Sequence, residues 1–357
     1  FDAQVFGLDQ PFTWAMRVAE GAIVLGVGAA VARATRRLAA SVWLTPALKP
    51  FFGGTYFPPD SRYGRAGFAD LLAQISRAWR EDRTAVAESA EAVLRQLGPP
   101  ARARVATGVP GPDLLGHAVD QFRGAFDHVR GGFGGAPKFP RPSELLFLLR
   151  ESARTGDAGA RTMATRTLDA MASGGMRDHV GGGFHRYSVD AAWRVPHFEK
   201  MLYDQAQLVL AYLEAAEAAG DRALADVADD TLRYVSRDLS DQQGGFYSAE
   251  DADSLPPERR AEAGARKTEG AFYLWGFDEV GDVAGADADL VRARFGIEPS
   301  GNAPFDPHGD FGANNLLYEA RSVAELARDF ALDPDQIALR LARARTMMFN
   351  ARACRPR

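Results

Sequence analysis

Cysteine is almost missing from this sequence: Cys354 is the only one in 357 residues. One thiol closes no intrachain disulfide and supports no dithiol exchange within the chain. A reducing, cytoplasmic setting is the expected one. An excess of one charge is lacking as well, with 42 Lys and Arg against 47 Asp and Glu, a net charge of -5. A general nucleic-acid binder needs a concentrated basic surface, so no nucleic-acid partner is expected. Long apolar runs are absent. Residues 22–32 (AIVLGVGAAVA) are the most apolar stretch, about half of the ~20 residues a membrane-spanning helix needs. A buried strand or helix is expected there, and no membrane partner. Metal signatures are lacking too. His179, His185 and His197 are six and twelve residues apart, with no H-E-x-x-H and no cysteine nearby. Leu255 and Pro256 break the calcium-loop pattern that SAEDADS (248–254) begins. Gly26, Gly28 and Val31 lack the last small residue and the later acid of a dinucleotide loop. No metal or other cofactor is expected.

What is present suits a soluble chain of two domains, at 46% hydrophobic and 25% charged residues. Residues 1–38 carry no readable pattern. Two strands are expected over 40–57, Ser41 to Leu44 and Phe51 to Phe57. Gly53 and Gly54 mark a bulge or a close backbone approach within the second. Residues 67–97 read as one or two helices. Phe68, Leu71, Leu72, Ile75 and Trp79 recur at helical spacing, and Val86, Ala90, Val93, Leu94 and Leu97 continue it. A Pro-, Gly- and Ala-rich linker follows. The boundaries are therefore 1–98, a linker over 99–111, and 112–357.

Beyond the linker, helices are expected at 112–128, 141–155, 159–174, 197–219, 221–239, 287–295, 321–331 and 334–350, with no clear strand run between them. Gly-Gly-Phe recurs at 131, 182 and 244, intervals of 51 and 62 residues, with a weaker echo at Gly270-Ala271-Phe272. The intervals suit one helical hairpin plus a loop per unit, stacked so that units bury one another's faces.

Chemistry concentrates in 175–205. That segment holds His179, His185 and His197, with Arg186, Tyr187, Glu199, Lys200 and Asp204. A helix starting near Pro196 would set His197, Lys200 and Asp204 on one face. Lys200 and Asp204 could equally be an i,i+4 ion pair worth roughly 0.2–0.5 kcal/mol. In SAEDADS, Glu250, Asp251 and Asp253 crowd three carboxylates, which can raise one another's pKa and act as acid and base. A solvated acidic loop is the plainer alternative. Glu269 to Trp275 is aromatic-rich, which suits sugar stacking or a core.

In order along the chain, FFGGTYFPP (51–59), GGFGGAPKFPRP (131–142), GGGFHRYSVDAAWRVPHFEKMLYDQAQL (181–208), GGFYSAEDADS (244–254) and EGAFYLW (269–275) resemble the hallmark segments of one family. It is the thioredoxin-domain-containing, spermatogenesis-associated family, and the resemblance covers roughly 41–320. It implies a mostly α chain: a partial (α/α)6 toroid, six-hairpin glycosidase-like, preceded by an incomplete α/β thioredoxin-like domain. Such toroids are similar to those of N-acylglucosamine 2-epimerases. The sequence departs from the family in three places. There is no C-x-x-C. Ala39 stands where the strand's proline belongs. The chain stops near Arg355-Pro356-Arg357, where the family continues, so any toroid would be open. Residues 1–38 could be a divergent or frame-shifted replacement.

The resemblance implies a central pocket for a small, carbohydrate-like ligand. His185, His197, Glu199, Asp204, Glu250, Asp251 and Asp253 would be catalytic. Arg186, Tyr187, Lys200, Glu269 and Trp275 would bind the ligand. A redox-linked binding module without thiol activity, or a non-functional fragment, are the alternatives.

Overall fold

The computed structural model describes residues 41–54, 57, 58, 60, 61, 66–97, 111–262, 264–306 and 309–357, and the backbone of 23–26. The chain divides into two compact units, 1–110 and 111–357. Most of residues 1–38, the expected linker apart from Gly111, Ala39 and the Gly28 and Val31 of the rejected dinucleotide pattern lie outside the described residues.

The first unit holds an antiparallel sheet in the order β1 (Ile23–Gly26), β2 (Ser41–Leu44), β3 (Pro50–Gly54). Trp43, 1% exposed, sits opposite Phe52 and packs its ring 5.5 Å from those of Phe52 and Phe57. The second strand ends at Gly54 rather than Phe57. Phe57 instead turns its ring onto Gly54, where a Cβ would stand 2.6 Å from it. The amphipathic stretch becomes two helices, α1 (Phe68–Glu81) and α2 (Arg83–Leu97), broken at Asp82.

The second unit is mostly helical, as the sequence implied. Its described helices are α3 (Pro112–Ala125), α4 (Pro142–Thr155), α5 (Ala158–Ser173), α6 (Leu202–Ala219), α7 (Arg222–Asp238), α8 (Phe277–Ala284), α9 (Ala288–Phe295), α10 (Val323–Asp329) and α11 (Pro334–Ala353). Two tight hairpins, α4–α5 and α6–α7, are built alike. A glycine ends the first helix in the left-handed region, Gly156 at φ 79° and Gly220 at φ 65°. The next residue, Asp157 or Asp221, caps the second helix by accepting its first amides. Leu145, Leu148, Leu168, Met171, Leu208 and Leu224 fuse the hairpins into one core. A second core gathers Val280, Val291 and Met348 from the C-terminal helices around Trp275, which precedes α8.

One expected helix starts late. Residues 197–201 are not helical: α6 begins at Leu202. Pro196–His197 (β5) pairs with Tyr187–Ser188 (β4), and Lys200–Met201 (β6) pairs with Ala249–Glu250 (β7). Those ladders take the backbone groups that a helix would have used. His197, Lys200 and Asp204 therefore share no helical face. Asp253–Ser254 (β8) pairs with Thr268–Glu269 (β9).

Candidate functional site

These two-residue ladders carry the convergence that sequence spacing could not supply. Register places Tyr187 opposite His197, Lys200 opposite Glu250, and Asp253 opposite Glu269. Neighbouring residues of a strand point to opposite sides. The segment Pro196–Met201 accordingly sorts its side chains into an outer and an inner group.

The outer group centres on His197, with 27% of its side chain exposed. Its Nδ1 lies 2.6 Å from Glu269 Oε1, and its Nε2 lies 3.8 Å from Glu199 Oε2. A carboxylate on Nδ1 orients the ring and leaves Nε2 toward the second acid. Arg186 donates to Glu199 at 2.5 Å and also bonds Tyr203. The Tyr187 ring lies 5.0 Å from the imidazole and stacks on Phe139 at 4.7 Å. The Phe198 amide also donates to Glu269, at 3.2 Å. Burial pushes the Asp253 carboxyl up, reinforced by Asp251, Glu269 and Asp310. Burial likewise raises the Tyr187 phenol. In the first turn of α6, burial pushes Asp204 up to about 7, against the pull of Arg186 and with a push from Glu199. Its Oδ2 is buried and accepts no hydrogen bond from the described residues. Such a carboxyl keeps its proton near neutrality, a property suited to acid catalysis.

The inner group is a buried ion cluster. Asp178 takes both guanidinium nitrogens of Arg352 and the Lys200 ammonium, each at 2.8 Å. Val180 and Gly181 amides complete its shell at 3.0 and 2.9 Å. Burial opposes ionisation of Asp178, but Arg352 and Lys200 outweigh it and hold the carboxyl well below the usual range. Lys200 also donates to the Gly182 carbonyl and lies 4.1 Å over the Tyr234 ring. Glu250 accepts the Tyr234 and Tyr273 hydroxyls at 2.7 and 2.8 Å.

The expected site residues thus separate. His197, Glu199, Arg186, Tyr187, Glu269, Asp204 and Asp253 form the outer group. Lys200 and Glu250 belong to the buried cluster, and Lys200 pairs with Asp178, not Asp204. His185 is 2% exposed, and burial, with Lys200 adding, drives its pKa down to about 3. Its Nδ1 faces the Phe198 carbonyl at 2.9 Å; a carbonyl only accepts, so Nδ1 carries the proton. Asp251 points outward toward Lys267 at 3.7 Å, 69% exposed. Trp275 is fully buried under the Arg355 guanidinium, with no face left for a ligand. Sequence reasoning missed Tyr203 and Asp310 in the outer group and Arg352 in the inner one. Among the described residues no His, Cys, Asp and Glu group is placed to hold a metal ion, and no helix is long and apolar enough to cross a membrane.

Residues 29–98 match the family model Thioredox_DsbH, described as a protein of unknown function, DUF255. Human spermatogenesis-associated protein 20 is 42% identical over 338 residues, covering 89% of this chain and 42% of its own length. The mouse protein is 40% identical over the same shares. An uncharacterized protein of Caenorhabditis elegans is 35% identical over 334 residues, 88% of this chain and 44% of its own. The chain therefore spans less than half the length of these relatives. A solved sugar epimerase from a ruminal bacterium is similar over 39% of each chain, at TM-score 0.37 and 18% identity. A likeness of that size assigns neither fold nor function. The chain is thus a relative of the spermatogenesis-associated, thioredoxin-domain-containing proteins, resembling them over 89% of its own length.

Proposed function

We propose that the outer group binds a small, carbohydrate-like molecule and moves protons on it, as epimerase- or glycosidase-like acid–base chemistry requires. The observation that carries this reading is His197, partly exposed and held between the carboxylates of Glu269 and Glu199. In this reading Glu269 fixes the imidazole so that Nε2 takes or returns a proton. Asp204, protonated near neutrality, is the partner acid. Tyr187, braced on Phe139, offers a ring face beside the imidazole, and Arg186 supplies donors for hydroxyl oxygens. The proposed partner is a small molecule rather than nucleic acid or a membrane.

The test is turnover of a panel of free and N-acylated sugars by the full chain. Arg222→Ala, on the exposed surface of α7, is the control. His197→Ala and Glu269→Gln are expected to lower turnover at least about 100-fold, the usual scale of one acid–base group. Unchanged turnover in His197→Ala, or sugar bound in crystals away from His197, would overturn the reading.

A further inference from the structure

The carboxylates around His197 are not balanced by the protein's own cations. Asp253 and Glu269 stand directly opposite each other in the β8–β9 ladder. Opposite residues of an antiparallel pair share a face, and like charges so placed destabilise the pair. Glu269 is occupied: it lies 2.6 Å from His197 Nδ1 and accepts the Phe198 amide. Asp253 is exposed, and among the described residues nothing donates to its carboxylate and no cation pairs with it. Asp251 and Asp310 add negative charge around it, and His197 pulls the other way.

The cations of this group are committed to other acids. Arg186 donates to Glu199 at 2.5 Å, and Lys267 lies 3.7 Å from Asp251. The amide of Asp310 donates to Asp306, and its carboxylate has no partner among the described residues. A further unmet acid stands on the Glu199 side. Asp204 is 8% exposed, and its buried Oδ2 accepts nothing from the described residues.

We infer that the ligand of this site is an amino sugar with a free ammonium group, which Asp253 binds on the ladder face that it shares with Glu269, with Asp310 nearby. The inference rests on reading the outer group as a sugar site, and it narrows that reading to cationic sugars. An ammonium beside the opposed acids replaces a repulsion with attraction, and its N–H groups supply the donors that Asp253 lacks. A charge of opposite sign within about 4–6 Å also favours the ionised carboxylate. A hydroxyl or an N-acyl amide brings no such charge. A sugar bearing a carboxylate or a phosphate meets repulsion.

Glucosamine, N-acetylglucosamine, glucose and glucuronate titrated into the full chain at pH 7 and low salt test it. Calorimetry gives the affinities, and the ring resonances of His197 report the place. The expected result is glucosamine bound at least about fivefold more tightly than glucose, the upper worth of an exposed ion pair, with glucuronate weakest. The advantage should shrink in about 0.5 M salt, as screening requires. Asp253→Asn should bring the ratio of glucosamine to glucose affinity close to one. Asp310→Asn, in a loop, should lower the ratio in part, and it carries the test if the first variant does not fold. Equal affinities for glucosamine and glucose, with His197 shifting for both, overturn the cationic ligand and leave the sugar site standing. A preference for glucosamine that neither variant reduces overturns it too. No shift of His197 with any of the four sugars overturns both readings.

Discussion

Removing the charge of Asp178 is the sharpest perturbation of this structure. The carboxyl is 5% exposed, between Lys200 at 1% and Arg352 at 3%. Asp178→Asn keeps an oxygen for the Val180 and Gly181 amides but leaves two cations facing each other in a dry site. Breaking a buried pair from one side costs about 3–5 kcal/mol. The structure favours the upper half of that range, because one carboxylate serves two cations. For a unit of this size each kcal/mol moves the melting midpoint by roughly 2–4 °C, so a fall on the order of 10 °C or more is expected. Thermal melts by circular dichroism at pH 7 measure it. The pH direction follows from the carboxyl being held down in the folded state. Its stabilisation is present above the unfolded value near 3.9 and is lost as pH falls below it. The variant should therefore lose its deficit relative to the parent in strongly acidic buffer. A loss under about 1 kcal/mol at pH 7 would refute the reasoning that this cluster is a desolvated, mutually dependent unit.

Asp204 carries the opposite sign. Its folded pKa is raised to about 7, so its contribution is full below the unfolded value near 3.9 and is lost as pH climbs through 7. Asp204→Asn is expected to be more stable than the parent above pH 7, by up to about 4 kcal/mol, with no advantage near pH 4; melts across that range decide it. Gly183→Ala must fit a Cβ 2.4 Å from the Tyr234 ring at φ 75°, whereas Gly245→Ala meets only the backbone cost of φ 89° in open space. The first should cost several kcal/mol in denaturant unfolding and the second about 1–2, and equal losses would contradict the difference in cover.

Much of the helical plan was legible because local rules sufficed for it. Apolar residues at helical spacing set α4, α5 and α7 within a residue or two, whereas α6 begins five residues later than expected. The Gly-Gly-Phe repeats were legible for the same reason: a left-handed pair of residues demands glycine wherever it occurs. The site was half legible. The sequence placed titratable groups in one segment, but it could not say that Pro196–Met201 would be extended. That depends on strands 8 to 50 residues away, whose pairing leaves no trace in local periodicity.

What the sequence by itself determined is most of the helices, the single unpaired thiol and the glycine loops, since each follows from the chemistry of neighbouring residues; the short ladders and α8 (Phe277–Ala284) were not among its expectations. Tertiary structure alone decided which side of the segment Pro196–Met201 each charge took. It turned His197 and Glu199 toward solvent and Lys200 inward onto Asp178, with Arg352 reaching in from 174 residues further on. The physical reason is that desolvation is set by everything that surrounds a group. Whether a histidine, lysine or carboxyl stays reactive or becomes a buried strut depends on packing that no sequence window contains.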